Sequence, residues 1–245
     1  MSKNKPWPLS FVVAHRGAPR IAPENTISAL KAAKQYGANY VECDVQLTKD
    51  LQPVIIHDEK LDRTTNGSGY VFETDFSEIK KLDAGNWFSK KYQGEKIPTL
   101  KEWIVCAADL KIGINIEIKT DGPHYAKMLS EMVISELKLN YLNNLSTPLI
   151  SSFNFYAIEM ASKLSQNYLL AFNTESQLSI EKIPDFVNSV HFHEKILNKE
   201  YVEKLHARDL KVLAYTVDDL IRLNELRKMG VNGIFSNNEE LFSIE

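Results

Sequence analysis

The chain has 245 residues, 44% of them hydrophobic and 25% charged, which is a soluble globular composition with ample apolar material for a large core. Its length fits one or two domains and matches the roughly 250 residues of a single (β/α)8 barrel. A formal net charge of −3 offers no global attraction to nucleic acid or an anionic bilayer, and two cysteines without a CxxC exclude a cysteine-rich zinc site and argue against a disulfide framework.

The first residues, "MSKNKPWPLSFVVAHRG", hold only four consecutive apolar residues before His15. That is too short for a signal peptide or a membrane span, so a cytoplasmic location is expected. From there strand-like and helix-like runs alternate. Strand-like are "LSFVVA" (9–14), "YVECDVQL" (40–47), "PVIIH" (53–57), "IGINIEIK" (112–119), "PLISSF" (148–153), "NYLLAF" (167–172), "SVHFH" (189–193), "KVLAYTV" (211–217) and "GIFS" (233–236). Between them lie helical patterns such as "NTISALKAAKQYG", "HYAKMLSEMVISELKL", "FYAIEMASKLS", "NKEYVEKLHARD" and "DDLIRLNELRKMG". About eight β-then-α units predict an α/β fold, a closed (β/α)8 TIM barrel spanning 1–245 as one domain. No GxGxxG follows the first strand, which counts against a dinucleotide-binding sheet. Residues 58–98 break the rhythm with glycines and six aromatics. They are expected to form a small capping insertion after the second barrel strand region, with Trp87 and Phe88 in its own small core.

Polar residues collect at the ends of these strands, where parallel barrels carry their chemistry. His15 and Arg16 end the first run and His57 ends "PVIIH". In "VECDV", Glu42 and Asp44 share one face, and in "INIEIK", Asn115, Glu117 and Lys119 alternate with isoleucines and must point into the barrel. Two like charges about 4 Å apart repel by roughly 4 kcal/mol at an effective dielectric of 20, so three carboxylates there call for a cation. Oxygen-only ligands favour a hard ion, Mg²⁺ or Ca²⁺. His191 and His193 alternate onto one face and read as packing or pocket residues rather than a metal pair, while His124 and His206 read as surface or satisfied core histidines. Asn25 is either a helix N-cap or a hydrogen-bonding residue of the site.

In order and spacing, "AHRG", "PENT", "VECDVQLTKD", "PVIIHD", "RTTNGSG", "LDAGNWF", "IPTL", "NIEIK", "SSFN", "YTVD" and "GVNGIFS" make the chain similar to the glycerophosphodiester phosphodiesterase family, particularly its small cytoplasmic bacterial enzymes. The resemblance implies a TIM barrel with an insertion, one divalent cation (Mg²⁺ or Ca²⁺) held by Glu42, Asp44 and Glu117, His15 and His57 as the acid–base pair, and Arg16 and Lys119 on the phosphate. Phe153 and Tyr215 are expected to wall the pocket around glycerol. Tyr215 stands where the family often has tryptophan, and Asn232 and Asn237 where it commonly has aspartate, departures expected to touch substrate preference rather than chemistry.

These residues suit metal-dependent hydrolysis of glycerophosphodiesters, such as glycerophosphocholine or glycerophosphoethanolamine, to sn-glycerol 3-phosphate and an alcohol. His57 is expected as general acid and His15 as general base, with water or a glycerol hydroxyl both open as nucleophile. Competing readings are a lysophospholipase D-type enzyme, for which no apolar rim or anchor is evident, and a catalytically inactive phosphodiester-binding barrel. The expected partner is a small-molecule substrate, with no nucleic acid and no stable membrane insertion; a homodimer is allowed.

Overall fold

The computed structural model describes residues 7–120, 122–141 and 146–244. Its strands are β1 (Val12–Ala14), β2 (Tyr40–Leu47), β3 (Pro53–Ile55), β4 (Gly113–Ile118), β5 (Leu149–Ser152), β6 (Leu169–Thr174), β7 (Ser189–His193), β8 (Lys211–Tyr215) and β9 (Gly233–Ser236). All but β3 pair in parallel in the order 1-2-4-5-6-7-8-9, and β9 pairs back onto β1. The sheet is therefore a closed eight-stranded barrel, as the alternation of apolar runs predicts.

Around it lie α1 (Ile27–Gln35), α3 (Leu100–Asp109), α4 (Pro123–Asn140), α5 (Phe155–Leu164), α6 (Lys199–His206) and α7 (Leu220–Met229), with α2 (Phe76–Ile79) in the long β3–α3 connection. Between β6 and β7 the crossover carries only a 3-10 turn, Ile180–Lys182, and after β9 the described residues form only the 3-10 turn Glu239–Leu241, so α-helices fill six of the eight outer positions. Helix α3 starts at a capping box, with Thr99 Oγ1 accepting from Glu102 N while Glu102 accepts from Thr99 N.

The structure corrects the reading of "PVIIH" as a barrel strand. β3 runs antiparallel to the end of β2, with Val45 opposite Ile55 and Leu47 opposite Pro53, outside the closed ring. The reason is chain length. Only residues 48–52 separate the two strands, whereas a parallel crossover needs about a dozen residues or more. β2 overhangs the rim, the chain turns at Leu51 with φ 64°, and β3 brings residue 57 back down to the mouth.

The connection that follows has its own apolar cluster of Val54, Ile56, Leu61, Val71, Ile79 and Ile97, with Phe76 and Leu82 packed against it. Trp87 and Phe88 are not part of this cluster. Trp87 is 40% exposed and donates from Nε1 to Ala84 O (2.9 Å), and its ring meets Phe88 edge-on at 5.8 Å. Phe88 in turn meets Tyr92, whose hydroxyl donates to Ile21 O (2.9 Å). These aromatics thus fasten the connection to the β1–α1 loop, and Ser28 donating from N and Oγ to Glu95 adds a second tie.

Two apolar layers hold the barrel. One fills the space between strands and outer helices, and the other plugs the interior with Leu9, Val13, Tyr40, Leu169, Leu213 and Phe235. A Cβ on Gly113 would lie 2.1 Å from the Tyr40 ring, so glycine is required where that ring crosses the floor. Among the described residues no helix is long and apolar enough to cross a membrane.

His191 belongs to this interior. It is buried, its ring 4.9 Å from Phe235 and its Nε2 3.2 Å from Ser189 Oγ. Burial pushes its pKa down from 6.5 to about 3. The unfolded chain binds this proton near pH 6.5 and the folded chain only near 3, so stability present above pH 6.5 is lost as pH falls through that interval. Its share of the slope reaches about 1.4 kcal/mol per pH unit. In urea titrations from pH 6.5 to 4, His191→Gln should therefore show a shallower loss of unfolding free energy than the parent protein; parallel slopes would contradict this.

Candidate active site

The register of β1, β2 and β4 sets the site. Ala14 pairs with Val41, so His15 emerges level with Glu42, and Asp44 pairs directly with Glu117. Side chains two apart on a strand share a face, and here that face is the barrel mouth. One oxygen each of Glu42, Asp44 and Glu117 lie within 4.8 Å of one another. The convergence expected of these carboxylates is thus met.

Their surroundings differ. Lys119 Nζ sits 2.9 Å from Glu117 Oε1 and 3.5 Å from Asp44 Oδ1, and Arg16 Nε sits 3.4 Å from Asp44 Oδ2. Asn25 donates from Nδ2 to Asp44 Oδ2 (2.8 Å) and accepts from Asp44 N (3.3 Å). For Asp44, burial pushes the pKa up, but Lys119 and Arg16 outweigh it and bring the carboxyl to about 2. Glu117 is raised to about 7 by burial and then by Asp44, despite Lys119 and a 3.0 Å hydrogen bond from Asn173 Nδ2. Glu42 is raised further, by burial and by both neighbouring carboxylates. Its Oε2 accepts from Arg16 N (2.9 Å), while its Oε1 is buried without a hydrogen-bond partner. A buried orphan oxygen beside two more carboxylates fits a hard cation, and the cluster is consistent with a divalent metal site.

The β1–α1 loop turns sharply to achieve this. Arg16 and Gly17 take left-handed φ values of 56° and 87°, which aim the Arg16 amide at Glu42. A Cβ on Gly17 would lie 2.7 Å from Ala29, so the tight return needs glycine. The N-cap of α1 is Thr26, not Asn25: Thr26 Oγ1 accepts from Ala29 N, while Asn25, at φ 58°, is spent on Asp44. Arg16 Nη1 donates to Glu24 Oε1 (2.9 Å), and its Nε is a buried donor with no hydrogen-bond acceptor.

The two histidines are held by opposite devices. Asn237 Nδ2 and N donate to Asp218 (3.1 and 2.6 Å), and Asn237 Oδ1 lies 2.8 Å from His15 Nδ1. A carboxylate only accepts, so the amide nitrogen must face Asp218 and the amide oxygen His15. His15 therefore carries its proton on Nδ1 and leaves Nε2, 4.0 Å from Glu42 Oε2, with a free lone pair. Burial, then Arg16, lowers the His15 pKa to about 4. Asn237, expected to bear on substrate preference, is thus a direct hydrogen-bond partner of His15. Asn232 is remote, accepting from Val212 N and meeting His206.

His57 is delivered by the β2–β3 hairpin rather than by a barrel strand. Gln46, buried at the overhanging end of β2, aims its amide nitrogen at the carbonyl oxygens of Ile56, His57 and Asp58 (3.0, 2.9 and 2.7 Å). His57 Nδ1 lies 2.6 Å from Asp58 Oδ1, which fixes the proton on Nδ1 and leaves Nε2 outward. Arg63 clamps Asp58 and Glu24 with four hydrogen bonds of 2.6 to 2.9 Å. These bonds, with the one from His57, hold Asp58 well below the usual carboxylate range. The His57 pKa is lowered, by burial first and then by Arg16 and Lys119 against the pull of Asp44 and Asp58.

A cavity of about 660 Å³ opens beside the carboxylates, with His57, Glu117, Lys119 and Phe153 in its lining. Phe153 and Tyr215 meet edge-on at 5.9 Å, and the Tyr215 hydroxyl donates to Thr174 O (2.9 Å). His193 turns to Tyr215, ring centroids 6.0 Å apart, and neither His191 nor His193 joins the carboxylate group. Asp58, Gln46, Asn173, Glu24, Arg63 and Asp218 escaped the sequence reading as site residues. For Asp58 a signal existed, its place directly after His57.

The sequence profile of the glycerophosphoryl diester phosphodiesterase family matches residues 15–241. A glycerophosphodiester phosphodiesterase of Caldanaerobacter subterraneus is 37% identical over 236 residues, covering 94% of this chain and 95% of that protein. One from Bacillus subtilis is 34% identical over 253 residues, covering 95% and 85%. Among solved structures, a phosphodiesterase of Oleispira antarctica in complex with the product sn-glycerol-3-phosphate superposes with a TM-score of 0.91 at 34% identity, covering 96% of this chain and 95% of that one. The glycerophosphodiester phosphodiesterase of Agrobacterium tumefaciens gives a TM-score of 0.78 at 29% identity, covering 97% and 100%. With a profile match across nearly its whole length and a site whose three carboxylates and two oriented histidines meet at one barrel mouth, the chain belongs to the glycerophosphoryl diester phosphodiesterase family and is an enzyme of that class.

Proposed function

We propose that the protein hydrolyses glycerophosphodiesters, glycerophosphocholine and glycerophosphoethanolamine among them, to sn-glycerol 3-phosphate and an alcohol, in the cytoplasm and with one Mg²⁺ or Ca²⁺. The observation that carries this reading is the pair of fixed imidazoles beside the acidic cluster, each with its Nδ1 tied to a fixed oxygen, Asn237 Oδ1 for His15 and Asp58 Oδ1 for His57. Glu42, Asp44 and Glu117 would hold the cation, which when bound neutralises phosphate charge and orients the glycerol hydroxyls.

The remaining work falls to the chain's own groups. Arg16, held between Glu24 and Asp44, and Lys119 beside it supply positive charge toward the phosphate. The lone pair on His15 Nε2 suits it to accept a proton from the nucleophile. His57, whose Nδ1–H is bonded to the Asp58 carboxylate, is stabilised as an imidazolium and suits proton donation to the departing alkoxide. An arriving phosphate anion would bring the lowered His57 pKa back up toward neutrality. Asn25 acts by bracing Asp44, and Phe153, packed edge-on against Tyr215, lines the pocket.

A coupled glycerol 3-phosphate assay tests this. His15→Ala and His57→Ala should each lose on the order of 10²-fold or more in kcat, and Glu42→Ala most of its activity, with folding retained. A fully active His15→Ala protein would overturn the assignment. Asn237→Leu should cost roughly tenfold in kcat with little change in KM, because it frees the His15 tautomer without touching substrate. Mg²⁺ or Ca²⁺ should raise Tm, by about 2.7 kcal/mol of added stability at a hundredfold excess over Kd. That response should vanish in Asp44→Asn, and EDTA should abolish turnover; a Tm indifferent to both ions would count against the cation site.

A further inference from the structure

We propose that the cavity beside His57 receives the departing alcohol and that this alcohol is bulky and apolar, so the enzyme favours glycerophosphodiesters of long-chain or aromatic alcohols over those of small polar ones. The inference rests on the acid role given to His57 above. His57, Glu117 and Lys119 line the inner end of the cavity, and neither His15 nor Arg16 contributes to it. A group that protonates the leaving oxygen must lie on the leaving side. In the balanced reaction, water adds to phosphorus, the P–O bond to the alcohol breaks, and the alkoxide takes its proton from His57, giving glycerol 3-phosphate and the free alcohol.

The cavity is far too large for a small alcohol. About 660 Å³ falls in the range of pockets that enclose drug-sized ligands, roughly 300–1,000 Å³. Most of its exposed wall is apolar, with aliphatic Leu47, Ile118 and Leu129 and aromatic Tyr70, Phe72 and Tyr125, while charged Asp58, Glu59 and Lys60 share the lining. Phe72 is 47% and Tyr125 46% exposed, surface that an apolar chain would cover. The aromatic face best suited to a quaternary ammonium is already taken, the Lys60 ammonium lying over the Tyr70 ring 4.9 Å from its centroid, and Lys60 offsets part of the negative charge of Asp58 and Glu59 in the same lining.

The wall also corrects the expectation that no apolar rim exists. Tyr70 and Phe72 come from the insertion, Tyr125 from α4 and Phe153 from the end of β5.

The test is a series of glycerophospho-n-alkanols from ethanol to octanol, held below their micelle concentrations, with glycerophosphocholine beside them. The longer alkanols share nearly one basicity, so the chemical step stays constant and only binding varies. Each fully buried methylene is worth up to about fourfold, so kcat/KM should climb at least tenfold from ethyl to octyl. Phe72→Ser and Tyr125→Ser, both at exposed positions, should each cut the octyl-to-ethyl ratio at least threefold. A flat or falling series with glycerophosphoethanol still hydrolysed overturns the inference and spares the proposed function. So does a ratio that neither variant changes, a preference for glycerophosphocholine over the octyl diester, or a gain seen only when the chain is attached to glycerol. Hydrolysis of no member would instead sink the proposed function, and this inference with it.

Discussion

Three carboxylates forced to one point of a protein interior set the terms for everything around them. Each pairwise repulsion is on the order of 4 kcal/mol at about 4 Å and an effective dielectric of 20, and burial removes the water that would screen it. The fold answers unevenly. Asp44 receives Lys119, Arg16 and both ends of the Asn25 amide, and stays ionised. Glu117 shares Lys119 and takes one bond from Asn173. Glu42 gets a single backbone N–H and keeps one oxygen buried with nothing to accept from. Burial and mutual repulsion push the Glu42 and Glu117 pKa values up. A cation binding such a cluster would compete with protons for its oxygens, which couples its binding to pH.

The same constraint explains the local backbone. The left-handed pair Arg16–Gly17 is the means of turning an amide toward Glu42 and a guanidinium toward Asp44 from adjacent atoms of one residue. Arg16 then cannot lean on Asp44 alone, and Glu24 draws its far end away. Glu24 would be pushed up by burial, but Arg63 and Arg16 more than offset that and lower it. Arg63 reaches from Glu24 to Asp58, and Asp58 to His57. One chain of charges thus links the barrel strand carrying the first histidine to the hairpin carrying the second.

The legible part of this site was the part with a period. Alternation in "VECDV" and "INIEIK" placed Glu42, Asp44, Glu117 and Lys119 on the interior face, and strand pairing did the rest. Alternation could not say which strands close the ring, and "PVIIH" looks the same whether it lies in the barrel or folds back on β2. The distinguishing fact was the five-residue spacing, too short for any crossover. Asn25 is a good cap by residue type, yet the cap is one residue later, at Thr26. Asn237 was out of reach for another reason: it meets His15 across 222 residues of sequence, through a β1–β9 pairing that only ring closure creates.

The aromatic wall over the cavity shows the same limit from the surface side. A sequence advertises an apolar surface when the residues are contiguous or periodic, as in a membrane anchor or an amphipathic helix. Here four aromatics come from three segments, none an apolar run longer than three residues, and the barrel's circular order sets them side by side. The rim of a closed sheet therefore separates two kinds of information. What the strands point inward follows from alternation along each one, and the chemistry sits there. What the loops assemble above follows from which strand neighbours which, and the outer cavity, built by β2–β3, the β4–α4 turn and the end of β5, belongs to that second kind.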